Sequence, residues 1–199
     1  RLSRINQELA ALYSEFRSKV LEDENTWTLL PNESDLAGLP AGLVAAARSA
    51  AEERGLNGWA ILNTRSSVDP FLTFSANRPH RETVWKRFKS RGDNGDANDT
   101  NAIITRIVFL RAERVRLIGY PSHAAWQMAD SMAATPEAAK ALLFKVWPAA
   151  VARVTQEVAA MQTMAVKDDP SIRIEPWDYL YYSEQVRQAT SGVDIAELG

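Results

Sequence analysis

Apolar residues recur every three or four positions along most of this chain, and this spacing constrains the fold more than any other feature. Such a period places the side chains on one face of an α-helix. We expect a first helix that runs to about Glu24, and because no capping residue precedes Arg1, we expect the chain to be a piece of a longer protein. The apolar face of this helix comprises Leu2, Ile5, Leu9, Leu12, Phe16 and Val20.

Glycines and prolines mark the ends of the next predicted helices. An alanine-rich helix follows Pro40 and closes at Gly55, a residue type typical of helix C-termini. A basic helix begins at Arg78 and ends at Gly92, and an isoleucine-rich helix then ends at Gly119 before a short one. The predicted buried stripe of the isoleucine-rich helix consists of Ile103, Ile104, Ile107, Val108, Val115 and Ile118.

Two more helices are predicted in the last third of the chain. Thr135 and Pro136 match the preferred cap and first position of a helix. We expect this helix to reach Met164, with a bend at Pro148. After a turn, the last helix begins beyond Pro176.

One short segment is predicted to be a β-strand. Residues 59–64 are apolar and bounded by turn residues, and we expect residues 71–74, which follow Pro70, to pair with them. Residues 25–40 are predicted to form a loop. The predicted fold class is therefore mainly α, a helical array with at most one small β-hairpin. It forms one helical segment over residues 1–199, with helices in 1–55, a short hairpin in 56–76 and helices in 77–199.

Composition excludes several classes of protein. The 199 residues contain no cysteine, which excludes a disulfide-stapled fold and a thiolate zinc site and fits a cytoplasmic location. A net charge of −2 gives no reason to expect nucleic acid or an anionic membrane as a partner. No apolar run approaches the ~20 residues that span a bilayer.

The segment SRGDNGDANDTNAII, residues 90–104, raises the question of a calcium site. An EF-hand loop needs oxygen ligands at alternate positions, glycine at the sixth and glutamate at the twelfth. Counted from Asp93, the third position is Gly95; counted from Asp96, the sixth is Asn101 and the twelfth is Ile107. Both registers fail, so we expect a solvated turn, for which Asn, Asp and Gly are the usual residues.

The histidines do not form a recognisable metal or catalytic motif. His80 and His123 are the only two, and neither lies in a His-Glu-x-x-His arrangement. No Gly-x-Ser-x-Gly elbow and no phosphate-binding glycine loop is present. We therefore predict no catalytic and no metal-ligating residue in this chain, and interpret His123 as a partly buried structural residue.

Residues 78–91 carry six basic side chains and two aromatic ones. This mixture is compatible with stacking on a nucleic acid. Helical spacing favours another interpretation, in which Val84, Trp85 and Phe88 pack inward and the cations form a solvated face. Nucleic-acid binding is kept as a minor alternative.

The densest group of chemically versatile side chains lies near the end of the chain. Trp177, Asp178, Tyr181 and Tyr182 fall at the start of the last helix, where Asp178 can cap free backbone amides. Two interpretations stay open: an aromatic core with a capping aspartate, or a surface that contacts substrate.

Four stretches together resemble the thimet oligopeptidase family of zinc metallopeptidases, and within it the bacterial peptidyl-dipeptidases, also called dipeptidyl carboxypeptidases. They occur in matching order over nearly the whole chain, and only the final TSGVDIAELG departs from the family pattern. The stretches are TWTLLPNESDLAGLP, VDPFLTFSANRPHRETVWKRFKSRGDNGDAND, MAATPEAAKALL and IEPWDYLYYSEQVRQA.

This resemblance implies a longer, two-lobed helical enzyme that removes C-terminal dipeptides from short peptides. Its zinc is held by a His-Glu-x-x-His motif that this sequence lacks, so the chain corresponds to a segment upstream of the zinc motif and is predicted to be inactive alone. Trp177, Asp178, Tyr181 and Tyr182 are candidates for the substrate channel. The predicted partners are short peptides and the missing catalytic lobe, and exposed apolar surface is expected to cause self-association. The alternative is a non-catalytic helical protein-interaction module.

Overall fold

The structure, a computed structural model, describes residues 1–191. Two strands, β1 (Trp27–Leu30) and β2 (Trp59–Leu62), and a 3₁₀ turn (Glu33–Leu36) accompany eight α-helices in this part of the chain. The predicted fold class, mainly α with one small antiparallel pair, is confirmed. The sequence departure over residues 192–199 lies outside the described residues. The helices are α1 (Leu2–Glu24), α2 (Ala41–Glu52), α3 (Arg65–Phe74), α4 (Arg78–Lys89), α5 (Asn101–Leu117), α6 (His123–Met128), α7 (Pro136–Asp168) and α8 (Tyr179–Ser191).

The chain divides into two compact units. The first comprises Arg1–Glu22 and Gly92–Arg153, and the second comprises Asp23–Arg91 and the chain from Val154 onward. The interpretation of residues 1–199 as one segment of a larger enzyme stays a prediction.

The core of the first unit forms between α1 and α5. Ile5 and Leu9 of α1 are buried against three residues of α5, namely Ile103, Ile107 and Leu110. The predicted stripe of α5 is only partly correct, because Ile104 and Val108 are 42% and 58% exposed. A single neighbouring helix covers a narrower face than the apolar sector of α5 offers.

The Asp- and Asn-rich segment before α5 is a turn, as predicted, and Nζ of Lys19 in α1 donates a hydrogen bond to its Ala97 carbonyl oxygen (2.7 Å). Gly92 adopts a φ of +73°, and its carbonyl oxygen accepts hydrogen bonds from the backbone N–H of Thr100 (2.8 Å) and from its hydroxyl (2.9 Å). The Asp99 carboxylate accepts a hydrogen bond from the backbone N–H of Asn101 (2.9 Å) at the start of α5. The polar side chains of this segment therefore hold the turn.

The two strands of the second unit do not pair as the sequence suggested. β1 and β2 are antiparallel, with Trp27 opposite Leu62 and Leu30 opposite Trp59. Residues 27–30 are thus a strand rather than loop, and residues 71–74 belong to helix α3, which contains Pro70. The predicted hairpin within 56–76 is wrong.

The core of the second unit gathers side chains from both strands and from α2, α3 and α4. The helix interpretation of residues 78–91 is confirmed, since Val84 is buried and Trp85 and Phe88 pack against the core. Arg81 contradicts the predicted solvated face of cations, because its side chain is 1% exposed. A second cluster consists of Met161 and Ala165 of α7 with Tyr182 of α8.

Helix α7 is the longest in the described chain, with 33 residues. The Thr135 hydroxyl accepts a hydrogen bond from the backbone N–H of Ala138 (3.2 Å), which confirms the predicted cap. The helix continues past Met164 to Asp168, whereas the bend at Pro148 stays a prediction. No helix among residues 1–191 is long and apolar enough to cross a membrane.

Candidate functional site at the start of helix α8

The four candidate residues surround a buried carboxylate. Asp178 directly precedes α8 and is fully buried. Its Oδ2 accepts hydrogen bonds from Nη2 of Arg78 (2.8 Å) and from the backbone N–H of Glu175 (3.1 Å). Its Oδ1 accepts one from Nη2 of Arg81 (2.9 Å). Nε of Arg78 lies 3.1 Å from both carboxylate oxygens.

Both arginines come from the first turn of α4. They are three residues apart, so their side chains leave the helix on the same side. Arg78 also donates to the Arg173 carbonyl oxygen (3.1 Å), and Arg81 donates to the Ser75 carbonyl oxygen (2.7 Å). The carboxylate therefore connects the start of α4 to the segment that leads into α8.

The electrostatic balance keeps this carboxylate ionised. Burial by itself raises the pKa of Asp178, but the hydrogen bonds from Arg78, Arg81 and the Glu175 amide outweigh burial and hold the pKa below its ordinary value. The hydrogen bond to Asp178 likewise raises the pKa of Arg78. Two guanidinium groups thus share one carboxylate, and the group retains one positive charge.

Trp177 lies beside the Arg78 guanidinium of this ion-pair group. Its ring packs edge-on against Trp85, with centroids 5.9 Å apart. Two cations flank the ring, Arg78 at 5.8 Å and Lys86 at 5.3 Å from the centroid. The indole N–H is buried and has no hydrogen-bond partner within the described part of the chain.

The two tyrosines follow one turn later on α8. The guanidinium of Arg81 lies 4.1 Å from the centroid of the Tyr181 ring, and the Tyr181 and Tyr182 rings meet edge-on at 5.1 Å. Tyr182 is buried, and its hydroxyl lies 3.1 Å from a carboxylate oxygen of Asp168. Burial first, and the Asp168 carboxylate second, raise the pKa of Tyr182 to about 12.

The structure therefore brings all four candidate residues together. Asp178 and Tyr182 are buried, while Trp177 and Tyr181 are half-buried. The carboxylate of Asp178 accepts from Arg78, from Arg81 and from the backbone N–H of Glu175, so the free amide that it caps lies in the turn just before α8. Contact with a substrate channel stays a prediction.

Sequence reasoning missed the two arginines as partners of Asp178. A signal for Arg81 was present, because it precedes Val84 and Trp85 by one helical turn and so lies on the inward face of α4. A cation on an apolar face requires a buried anion. The sequence around Arg81 does not show which acidic residue pairs with it, because that residue lies about a hundred positions away.

The donors that zinc prefers are not grouped in the described residues. Nε2 of His80 lies 3.1 Å from an Asp35 oxygen. His123 borders a cavity of about 310 Å³ and is partly buried as predicted; burial, then Arg111 and Arg114, lower its pKa. No group of three or more His, Cys, Asp and Glu side chains within residues 1–191 could hold a metal ion. Residues 1–191 therefore offer no set of side chains that fits zinc as a resident cofactor.

The fold and this site define a mainly helical segment braced by a buried ion-pair group. Residues 71–199 match the model of Peptidase family M3. The chain therefore belongs to this peptidase family, and the resemblance seen in the sequence is confirmed.

Curated relatives extend the match over the whole chain. Dipeptidyl carboxypeptidase of Escherichia coli (strain K12) is 38% identical over 200 residues, which cover 100% of this chain and 29% of that protein. The Salmonella typhimurium protein of the same name is 35% identical, with the same coverage. Oligopeptidase A of Haemophilus influenzae is 29% identical over 203 residues, covering 100% of this chain and 30% of that protein. The chain spans under a third of the length of these relatives.

Proposed function

We propose that this chain is a scaffold segment of a zinc peptidase that removes dipeptides from the C-terminus of short peptides. The observation that carries this proposal is the 38% identity to a dipeptidyl carboxypeptidase over the full 199 residues. The identity to oligopeptidase A is lower, at 29%. The difference favours release of C-terminal dipeptides over internal cleavage.

Within that enzyme, the segment forms part of the wall of the substrate channel. The buried network of Asp178, Arg78 and Arg81 supports this role, since it fixes the start of α8 and so orients Trp177 and Tyr181. Rigid supporting contacts are what a binding surface needs to hold its side chains in one geometry. Half-buried Trp177 and Tyr181 are the residues placed to meet a peptide, and Asp178 and Tyr182 brace them.

The zinc and the group that activates water belong to parts of the enzyme outside these residues. When bound, the zinc supplies a nucleophilic hydroxide near neutral pH. No step of that chemistry is assigned to this chain, which is inactive alone. The absence of cysteine supports a cytoplasmic site of action, because reducing compartments do not favour disulfide-dependent folds.

The test compares this chain with the full-length peptidase, each supplied with zinc. The substrate is a short peptide with a free C-terminus, and its amidated form is the control. We expect the full-length enzyme to release dipeptides from the free form only, as identified by mass spectrometry, and the 199-residue chain to release none. Activity in the short chain would overturn the proposal.

The channel-wall role has its own test in the full-length enzyme. Tyr181→Phe and Trp177→Phe should raise KM several-fold while leaving the melting temperature nearly unchanged. Tyr182→Phe is the matched control, since its hydroxyl points to Asp168, and it should lower the melting temperature without raising KM. Unchanged KM in the first two variants argues against the wall role. A full-length protein with the zinc motif but no activity favours a non-catalytic interaction module.

A further inference from the structure

The middle of helix α7 exposes an unusual amount of apolar surface. Residues 140–153, which belong to the first unit, are all exposed, and only three of these fourteen positions are charged. Single exposed apolar residues are normal on protein surfaces, but a continuous patch marks an interface. The large apolar side chains and their exposures are Leu142 65%, Leu143 65%, Phe144 70%, Val146 58%, Trp147 66% and Val151 46%. We call these six residues the α7 apolar sector.

The α7 apolar sector is too wide for a single neighbour. At about 100° per residue, its side chains spread over about 200° of the helix circumference, from Leu142 to Phe144. A helix that packs on one side has an apolar stripe only about 100° wide. Within residues 140–153, the rest of the circumference carries Ala141, Ala149 and Ala152 with Pro148 and Lys145, whereas Lys140 and Arg153 lie within the 200° sector. Helix α7 therefore needs apolar partners on at least two sides.

We propose that the α7 apolar sector is the docking surface for the remainder of the peptidase polypeptide, which encloses this helix within the full-length enzyme. This inference rests on the proposed function. The curated dipeptidyl carboxypeptidase relatives match this chain over 29% of their length, so more than two thirds of such a protein lies outside the matched region. That length is ample to supply several covering elements.

A second copy of this chain fits the α7 apolar sector less well. In a two-fold dimer the α7 apolar sector of one copy packs against that of the other across a single axis. Each α7 helix is then covered on one side only. About half of the 200° sector would then stay in water, with an unfavourable free energy in proportion to its apolar area. Enclosure by the same polypeptide covers both sides at once.

Thiol labelling of the full-length peptidase tests this proposal. Phe144→Cys reports on the α7 apolar sector, and Met132→Cys is the control, because Met132 is fully exposed in the same unit. We expect a maleimide to react with Cys at 144 on the order of 100-fold more slowly than with Cys at 132, because labelling then requires local opening. Mass spectrometry of the two tryptic peptides separates them from any other thiol, and both sites should react equally in urea.

Wild-type protein supplies a second measurement that needs no substitution. Hydroxyl-radical footprinting of the full-length enzyme should oxidise Met132 readily and Trp147 several-fold less than its 66% exposure in this chain implies. If Phe144→Cys does not fold, this measurement and the conservative Val151→Cys variant decide the question.

The labelling and oxidation results distinguish the two candidates for covering the α7 apolar sector, the rest of the same polypeptide and a second copy of the chain. Equal labelling at the two sites, or equal oxidation, overturns the proposal. Protection that disappears on dilution from micromolar to nanomolar protein indicates a second copy and also overturns it. Concentration-independent protection supports it. An enzyme that releases dipeptides but leaves the sector open refutes this inference alone, whereas protection without peptidase activity refutes only the proposed function.

Discussion

Replacing Asp178 with asparagine should destabilise the chain far more than its single lost charge suggests. The substitution keeps the shape of the side chain but removes the negative charge between Arg78 and Arg81. The Arg81 side chain is 1% exposed and cannot be rehydrated, so in the variant its guanidinium becomes a buried, uncompensated charge. Arg78, at 34% exposure, can partly rehydrate.

The size of the loss in the free energy of unfolding follows from the difference in burial between Arg81 and Arg78. Removing one partner of a fully buried ion pair costs about 3–5 kcal/mol. We place Asp178→Asn at the low end, about 3 kcal/mol, because asparagine still accepts one hydrogen bond and Arg78 rehydrates. With a urea slope of about 2 kcal/mol per molar, the unfolding midpoint falls by about 1.5 M.

Urea unfolding of the 199-residue chain, followed by circular dichroism, measures this loss. The control is Asp69→Asn, which breaks the exposed pair with Arg65 (2.9 Å, side chains 42% and 85% exposed) and should cost under about 1 kcal/mol. Adding Arg81→Met to Asp178→Asn should recover part of the loss, since the unpaired cation is then gone. If Asp178→Asn costs no more than Asp69→Asn, or if Arg81→Met adds a further full penalty, the reasoning is refuted.

Three further predictions concern pH and glycine. The depressed pKa of Asp178 contributes stability that is present above the unfolded pKa of about 3.9 and lost as pH falls through the folded pKa, so Asp178→Asn should flatten the acid limb of a stability–pH curve. The raised pKa of Tyr182, about 12, contributes stability that is present below about pH 10 and is lost as pH rises to about 12. Tyr182→Phe should remove this loss of stability at alkaline pH. In urea titrations at neutral pH the same variant should cost about 1 kcal/mol. Gly58→Ala should lower the melting temperature, because the φ of Gly58 is +116° and an added Cβ would lie 2.5 Å from a carbonyl oxygen of β1. The control is Gly42→Ala in α2, where an added Cβ has nothing within 4 Å and should raise the free energy of unfolding by about 0.5–1 kcal/mol. Equal effects of the two substitutions would contradict this.

Seven of the eight helices in residues 1–191, all but α3, were predictable because their signals are local. The period of three and four, the glycine ends and the Thr135 cap all lie within a few residues of the structure they determine. Strand β1 was missed because its four residues lie beside Pro31 and its partner, β2, begins at Trp59, after an intervening helix. Pro70 was interpreted as the residue before a strand over 71–74, yet α3 accommodates it.

Only part of the candidate site could be predicted from the sequence. The cluster from Trp177 to Tyr182 was identified by its composition, and the structure does bring those side chains together. The partners of its carboxylate could not be assigned, because pairing of Asp178 with Arg78 and Arg81 depends on the path of the chain between them. A buried arginine on an apolar face indicates that an anion exists, but several acidic residues were available.

The distance in sequence between Arg81 and Asp178, 97 residues, has a consequence for biosynthesis. At about 5–20 residues per second, the ribosome completes helix α4 roughly 5–20 s before Asp178 is added. During that interval the nascent second unit lacks the carboxylate that pairs with Arg81, so we expect its helices to associate only loosely. Emergence of Asp178 then becomes the event that allows this half of the segment to close.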